Sequence, residues 1–164
     1  MGSAETPPVP APVFVVADDH PMVRDALGTA LRQSFAGARI DTAGSMAEAM
    51  AVLEREAEVD ALLLDLDMPG MDGLTGLATV RATYPSVPVV VVSAARDGRV
   101  MRRVMDLGAS AFMSKSASLE SIASVVKAVL EGEVLMPPEA IFRTGGRSAA
   151  NTPQWQVAGE AESS

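Results

Sequence analysis

The chain alternates between short runs of apolar, mostly β-branched residues and longer stretches in which apolar positions recur with helical spacing. Short apolar runs predict β-strands, and spacings of three and four residues predict amphipathic helices. Five such strand–helix pairs fit between residues 13 and 135, which is typical of repeated β-α units in an α/β protein. The predicted strands are Val13–Ala17, Arg39–Ala43, Ala61–Asp65, 87–93 and 111–113.

The third and fourth predicted strands are apolar at nearly every position, which predicts burial on both faces in the middle of a sheet. Helix starts are marked by residues that cap or open helices. These are Pro21, Ser45 with Glu48, Asp72 before Gly73, and Ser118 before Leu119. The last helix is predicted to turn one apolar stripe toward the sheet, formed by Leu119, Ile122, Val126, Val129 and Leu130.

The two ends of the chain do not follow this pattern. Residues 1–12 contain four prolines without hydrophobic periodicity, which predicts a disordered, extended leader. After residue 136 the periodicity stops, so residues 137–164 are predicted to be a flexible tail or the start of a linker. Residues 13–136 are therefore predicted to form one domain, and a chain of 164 residues is long enough for one domain of ordinary size.

Composition narrows the function classes. A net charge of −8 argues against a self-sufficient nucleic-acid binder, because such binding depends on Lys and Arg that neutralise phosphates. The absence of cysteine excludes disulfides and thiolate chemistry. No apolar run is long enough to cross a bilayer, and the first residues lack the features of a signal peptide. We therefore expect a cytoplasmic protein without a membrane partner.

Polar residues follow several predicted strands at the point where each strand ends. Asp18 and Asp19 follow the first strand, Asp65 ends the third, Ser93 ends the fourth, and Lys115 follows the fifth. The carboxyl ends of parallel strands meet at one edge of a sheet, so these side chains are expected to converge there.

Three carboxylates in one crevice would repel each other unless a cation neutralises them. An all-oxygen ligand set without Cys or His suits Mg²⁺, which often shares its ligands with a phosphate. A carboxylate nucleophile with a metal ion, an ammonium group and a hydroxyl nearby supports phosphoryl transfer. The expected product is an aspartyl phosphate on Asp65.

Four sequence segments together resemble one family. They are the blocks at residues 16–21, 64–73, 92–94 and 108–115, which hold Asp18, Asp19, Asp65, Ser93 and Lys115. Over residues 13–136 the chain closely resembles a bacterial response-regulator receiver domain of the CheY type. The Asp-Asp-His-Pro block and the spacing after Lys115 are most similar to the NarL/FixJ (LuxR-type) branch.

The resemblance implies a flavodoxin-like (βα)5 three-layer sandwich with a parallel sheet in the strand order 2-1-3-4-5. It also implies that Asp65 accepts a phosphoryl group from a sensor histidine kinase. The metal ligands would be Asp18, Asp19, Asp65 and the backbone carbonyl of Asp67, with Mg²⁺ as the cofactor. Such a protein modifies itself and loses the phosphate, but it is not a turnover enzyme.

By the same resemblance, Ser93 and Lys115 contact the phosphoryl group. Ser93 and Phe112 form the switch, since a shift of Ser93 toward the phosphate leaves space for an aromatic ring. Family members more often carry tyrosine at the position of Phe112. Members of this branch usually regulate transcription through a helix-turn-helix output domain, and receivers commonly dimerise through surface helices, here the fourth or the last.

Several of these residues also have simpler interpretations. The Asp67 side chain is predicted to be a turn residue, and Asp72 a helix cap. His20 is predicted to lie outside the carboxylate cluster as a cap or loop residue. Phe112 is also a natural core aromatic. The basic residues Arg96, Arg99, Arg102 and Arg103 are predicted to form a solvated or protein-docking helix face, with Val100, Val104 and Leu107 turned inward.

Three other functions fit parts of the pattern. A haloacid-dehalogenase-like phosphatase also uses Asp-x-Asp after a strand, as in Asp65 and Asp67, but needs a further acidic pair after its lysine. A flavodoxin-type FMN carrier shares the fold, but the first strand here lacks a Ser/Thr-rich phosphate loop. A pseudo-receiver that docks proteins without phosphate would be expected to lack Asp65 or Lys115, and both are present.

The residues after Met136 are too few, and too poor in cations, for a helix-turn-helix domain with its linker. We therefore expect DNA contact only through an output domain outside this chain. A truncated transcription factor and a stand-alone receiver that docks to another protein both fit the sequence.

Overall fold

The structure is a computed structural model that describes residues 11–56, 58–68, 72–94 and 97–135. Five strands alternate with five helices in these ranges, as the apolar pattern predicts. The predicted tail lies outside them, as does the leader except for residues 11 and 12. The elements are β1 Val13–Ala17, α1 Pro21–Ser34, β2 Arg39–Ala43, α2 Met46–Arg55, β3 Ala61–Asp65, α3 Gly73–Thr83, β4 Val89–Ser93, α4 Gly98–Asp106, β5 Ala111–Ser114 and α5 Leu119–Leu130.

All five strands form one parallel sheet in the order β2-β1-β3-β4-β5, which confirms the predicted flavodoxin-like topology. The register pairs Ala17 with Leu64, Asp65 with Val92, and Ser93 with Ser114. The carboxyl ends of β1, β3, β4 and β5 are therefore level with each other. Any residue that follows one of these strands emerges at the same edge of the sheet.

Helices cover both faces of the sheet, because successive residues of a strand point to opposite sides. Val15, for example, packs in a core with residues of α2, α3 and α4, whereas Val16 packs with residues of α1 and α5. Every residue of β3 and of β4 is buried, as predicted for strands inside a sheet. In the described part of the chain, no helix combines the length and the apolar character that crossing a membrane requires.

Two strand boundaries differ slightly from the prediction. β4 begins at Val89 instead of residue 87, because the Val87 N–H donates to the Tyr84 carbonyl at 3.0 Å and Pro88 has no N–H to offer. β5 extends by one residue to Ser114, which pairs with Ser93. This last pair brings the residue after β5, Lys115, level with the end of β4.

The helix starts agree with the sequence signals. The side chains of Ser45, Asp72 and Ser118 each accept a hydrogen bond from a backbone N–H in the first turn of the helix that follows. Pro21 occupies the first position of α1. Gly73 is required for a different reason, since a β-carbon there would overlap the carbonyl oxygen of Leu66. The start of α3 therefore packs directly on the loop that follows Asp65.

The apolar stripe of α5 is confirmed except at its first residue. Ile122, Val126 and Val129 are buried, but Leu119 is exposed. Leu119 is in the first turn, where it lines a surface groove with Met22 of α1 instead of packing on the sheet. The prediction for Leu119 was wrong. Helical spacing shows that Leu119 lies on the same face of the helix as the buried residues, but it does not show how far along the helix the sheet extends.

The basic face of α4 is confirmed in the residues that the structure describes. Arg99, Arg102 and Arg103 are exposed, whereas Val104 is buried in the core. Val100 and Leu107 are half-buried against the same core. Arg96, the fourth predicted member, lies outside the described residues.

Candidate functional site

The predicted polar residues meet at the carboxyl edge of the sheet. Lys115 Nζ lies 3.0 Å from Asp65 Oδ2 and 3.7 Å from Asp18 Oδ2. These three residues follow or end three different strands, so the level strand ends account for their meeting. The result is a small pocket in which one ammonium group faces several carboxylates.

Asp65 is a buried carboxylate at the centre of this pocket. Its Oδ2 accepts a hydrogen bond from Lys115 Nζ, and its Oδ1 accepts one from the backbone N–H of Asp67 at 2.8 Å. Burial raises the pKa of Asp65, and the nearby charge of Asp18 raises it further. The hydrogen bonds from Asp67 and Lys115 oppose this shift but do not cancel it. The two hydrogen bonds, one to each carboxylate oxygen, hold the Asp65 side chain in one orientation.

Lys115 is held by both its backbone and its side chain. Its N–H donates to the Ser93 carbonyl at 3.0 Å, which continues the pairing of β4 with β5. Burial lowers the pKa of Lys115, but the hydrogen bond to Asp65 and the charges of Asp65, Asp18 and Asp67 outweigh it and raise the pKa overall. The ammonium group therefore keeps its charge inside the pocket.

Asp18 and Asp19 supply the oxygen atoms that a cation would need. Asp18 is 1% exposed, and its Oδ2 has no hydrogen-bond partner in the described part of the structure. Asp19 Oδ1 is also buried and makes no hydrogen bond, although His20 Nδ1 lies 3.2 Å from it. Buried carboxylate oxygens are costly unless they are paired or bound to a metal ion. The donor set therefore fits a hard divalent cation and could hold one with Asp65 as a further ligand.

Arg24 orients this loop from α1. Its Nη1 donates to the backbone carbonyl of Asp18 at 2.7 Å, which fixes the chain where β1 ends. This contact was not predicted from the sequence. Its only signal is an arginine one turn into the helix that follows the two aspartates.

The structure corrects the prediction for His20. His20 Nδ1 lies 3.1 Å from Asp18 Oδ1 and 3.2 Å from Asp19 Oδ1, so the imidazole touches the carboxylate cluster instead of lying outside it. His20 is the N-cap residue of α1, but its side chain makes no capping hydrogen bond. The backbone N–H of His20 donates to Asp18 Oδ1, and this tight turn folds the ring back toward the cluster.

The Asp67 side chain does more than the predicted turn residue would. Its Oδ2 accepts hydrogen bonds from the Ala94 N–H at 3.3 Å and from Ser93 Oγ at 3.4 Å. These bonds tie the loop after β3 to the loop after β4. Pro69, Gly70 and Met71, which complete the predicted turn, lie outside the described residues.

Phe112 and Ser93 belong to the same side of the sheet. Phe112 pairs with Val91, and Ser93 is two residues further along β4, so both side chains point to the face covered by α2, α3 and α4. Phe112 is 1% exposed and belongs to the core of that face. Its interpretation as a core aromatic is confirmed in this conformation.

Comparison with known proteins shows which family this chain belongs to. The family model described as response regulator receiver domain matches residues 14–127. The chain belongs to the response regulator receiver family. Proteins of this family take part in two-component signalling and are not conventional enzymes.

The contacts of Asp67 bear on the phosphatase alternative. A dehalogenase-like phosphatase would use the Asp67 carboxylate as its general acid, but this carboxylate accepts hydrogen bonds from Ser93 and Ala94.

Two curated relatives illustrate the similarity. The receiver is 35% identical to the Glycerol metabolism activator of Pseudomonas putida over 128 residues, covering 78% of this chain and 58% of that protein. It is 30% identical to the Response regulator GacA of Pseudomonas aeruginosa over 125 residues, covering 76% of this chain and 58% of that protein. The chain thus spans little more than half the length of either relative.

Among solved structures, the receiver is similar to a LuxR family DNA-binding response regulator from Silicibacter pomeroyi. The identity is 30% and the TM-score is 0.68, and the match covers 77% of this chain and 97% of the other. The names of these relatives associate the receiver family with transcription regulation.

Proposed function

We propose that this chain is the phosphoacceptor domain of a two-component response regulator from the NarL/FixJ branch. In this proposal Asp65 accepts a phosphoryl group from a sensor histidine kinase in the cytoplasm, with Mg²⁺ as cofactor. The observation that carries the proposal is the geometry of Asp65, a buried carboxylate 3.0 Å from Lys115 Nζ. Beside it lie buried oxygens of Asp18 and Asp19 that make no hydrogen bond.

An oxygen of Asp65 would attack phosphorus, forming a P–O bond while the P–N bond of a phosphohistidine breaks and its electron pair stays on the imidazole. Because Lys115 already donates to Asp65 Oδ2, it needs only a small movement to donate to a phosphoryl oxygen. The chain's ligands for the ion would be Asp18, Asp19, Asp65 and the backbone carbonyl of Asp67. When bound, Mg²⁺ would neutralise charge on the carboxylates and on the phosphoryl oxygens.

The signal would leave the site through Ser93. The hydrogen bond from Ser93 Oγ to Asp67 is long, at 3.4 Å, and a phosphoryl group on Asp65 would add charged acceptor oxygens nearby, so Ser93 Oγ would move to the phosphate. The loop after β4 would follow, and Phe112, which points to the same face, would shift into the space that Ser93 leaves. This movement would change the surface around α4 and β5.

The output would be transcription, regulated through a DNA-binding domain that lies outside this chain. This part of the proposal is supported by the relatives, which include an activator and a LuxR family DNA-binding protein. A homodimer formed through α4 or α5 would then place two output domains on one DNA site.

Intact mass spectrometry tests the proposal. Incubation with acetyl phosphate and Mg²⁺ should add about 80 Da, the mass of one phosphoryl group, and EDTA should prevent the gain. Asp65→Asn should abolish the gain, while Asp72→Asn, which alters an exposed helix cap, should keep it. A gain that survives in Asp65→Asn would contradict the site assignment. If acetyl phosphate leaves the mass unchanged, phosphorylated histidine kinases should be used as phosphoryl donors instead. If the mass still does not change, the result would favour a docking module that works without phosphate.

A further inference from the structure

His20 brings a nitrogen ligand to a pocket otherwise made of carboxylates. It is the only histidine of the chain, and its Nδ1 lies 3.1 Å from Asp18 Oδ1 and 3.2 Å from Asp19 Oδ1. The ligands of a tetrahedral Zn²⁺ ion with bonds of about 2.0 to 2.1 Å are separated by about 3.3 Å. The distances from the imidazole nitrogen to the two carboxylate oxygens are therefore close to the separation of two ligands on one metal ion.

The pocket offers more than this close contact. One ligand atom from each of Asp18, Asp19, His20 and Asp65 can be chosen so that all four lie within 4.8 Å of one another. The Asp18 side chain is 1% exposed, and its Oδ2 points into the pocket without a hydrogen-bond donor, 3.7 Å from Lys115 Nζ. Asp19 Oδ1, the oxygen beside the imidazole, also has no hydrogen-bond partner in the described structure.

The imidazole is available to serve as a ligand. Its Nδ1 makes a hydrogen bond with Asp18 Oδ1 at 3.1 Å, and a metal ion bound to both atoms would replace the proton between them. The ring makes no capping bond at the start of α1 and is 59% exposed, so Nε2 can carry the ring proton toward solvent when Nδ1 binds a metal ion. The backbone N–H of His20 bonds to Asp18 Oδ1 independently of the ring. In the described part of the structure, the ring therefore makes hydrogen bonds or ion pairs only with Asp18 and Asp19.

We propose that His20 is a metal ligand that gives the acidic pocket a second binding mode, in which it holds a transition ion of the Zn²⁺ class. Carboxylate oxygens alone suit Mg²⁺, whereas an imidazole favours Zn²⁺ and related ions. Both modes share Asp18 and Asp19, so the two ions compete for the pocket. The inference rests on the acidic pocket of the proposed function, but it requires neither phosphorylation nor a kinase.

NMR of the single imidazole tests this directly. In a long-range ¹H–¹⁵N spectrum of the full chain, Zn²⁺ added at neutral pH should shift the Nδ1 resonance of His20 strongly, and Mg²⁺ should shift it little. Saturating Zn²⁺ without a change at Nδ1, or the absence of Zn²⁺ binding, would overturn the proposal. Phosphorylation with Mg²⁺ alone would still be intact in that case, which separates this failure from a failure of the proposed function.

Calorimetric titrations with variants give a second, independent test. His20→Ala should lower the preference for Zn²⁺ over Mg²⁺, measured as the ratio of dissociation constants, by at least about tenfold. Asp19→Asn removes a ligand that both ions share and should weaken the binding of both. An unchanged ratio in His20→Ala would show that the imidazole is not a ligand.

Discussion

At the scale of residues, Asp65 combines two opposing demands. In the proposed function its carboxylate must be charged and accessible to a phosphoryl donor, yet it is 2% exposed and its pKa is raised, chiefly by burial. Lys115 and the Asp67 N–H hold it in place without restoring the pKa of a free aspartate. The charged form of Asp65 therefore has an electrostatic cost, which a bound cation would lower.

This cost predicts how stability depends on pH. Asp65 is protonated in the folded and the unfolded state well below its ordinary pKa of 3.8, and the charge penalty is absent there. As pH rises from that value through the raised pKa of the folded state, the buried charge forms and stability is lost. Asp65→Asn should therefore raise the melting temperature by a few degrees at pH 7.5 in EDTA, and the gain should shrink as pH falls toward 3.8.

Thermal unfolding followed by circular dichroism measures this, with Asp72→Asn as the matched control for removing one carboxylate from an exposed cap. A lower melting temperature for Asp65→Asn at pH 7.5 would mean that the contact with Lys115 outweighs the cost of burying the Asp65 charge, which is the opposite of what the raised pKa predicts.

At the scale of elements, the loops after the strands are fixed by close backbone packing. The first residue of α3, Gly73, touches the Leu66 backbone so closely that a side chain there must displace it. Asp67, next to Leu66, in turn holds the loop after β4 through Ser93 and Ala94. The start of α3 thus limits where the backbone of Leu66, directly after Asp65, can lie.

Two glycine substitutions separate this packing from ordinary helix propensity. A β-carbon at Gly28, inside α1, would meet Arg32 at 3.5 Å and Ile40 at 3.6 Å, which is normal contact. Gly28→Ala should therefore stabilise the fold by about 0.5 to 1 kcal/mol through helix propensity. Gly73→Ala should destabilise it by roughly 1 to 3 kcal/mol because the Leu66 backbone must move. Denaturant unfolding measures both, and a neutral Gly73→Ala would disprove the close approach.

At the scale of the whole molecule, the receiver is a parallel sheet whose strand ends gather distant residues into one pocket. Asp18, Asp65 and Lys115 are far apart in sequence and meet because the register makes β1, β3 and β5 level. In the proposed function, a change at the pocket is transmitted through β4 and the Ser93 loop toward the surface of α4. The chain covers 58% of the length of each of the two curated relatives.

Much of this organisation could be predicted from the sequence. The strands, the helix caps and the meeting of Asp18, Asp65 and Lys115 follow from apolar periodicity and from the rule that parallel strand ends share an edge. The approach of His20 to the aspartates could not be predicted, because it depends on a turn closed by one backbone hydrogen bond. The bridge from Asp67 to Ala94 likewise depends on how two loops fold in space.

In the proposed function Asp65 itself carries the phosphoryl group. Borohydride reduces an acyl phosphate to an alcohol, so treatment after phosphorylation leaves a permanent mark at the modified carboxylate. Tryptic mapping with fragmentation should find this mark at Asp65 and not at Asp60, Asp67 or Asp72, which lie on the same peptide between Arg55 and Arg81. A mark at one of these other aspartates, or unmarked Asp65 in fully phosphorylated protein, would show that Asp65 is not the phosphoacceptor.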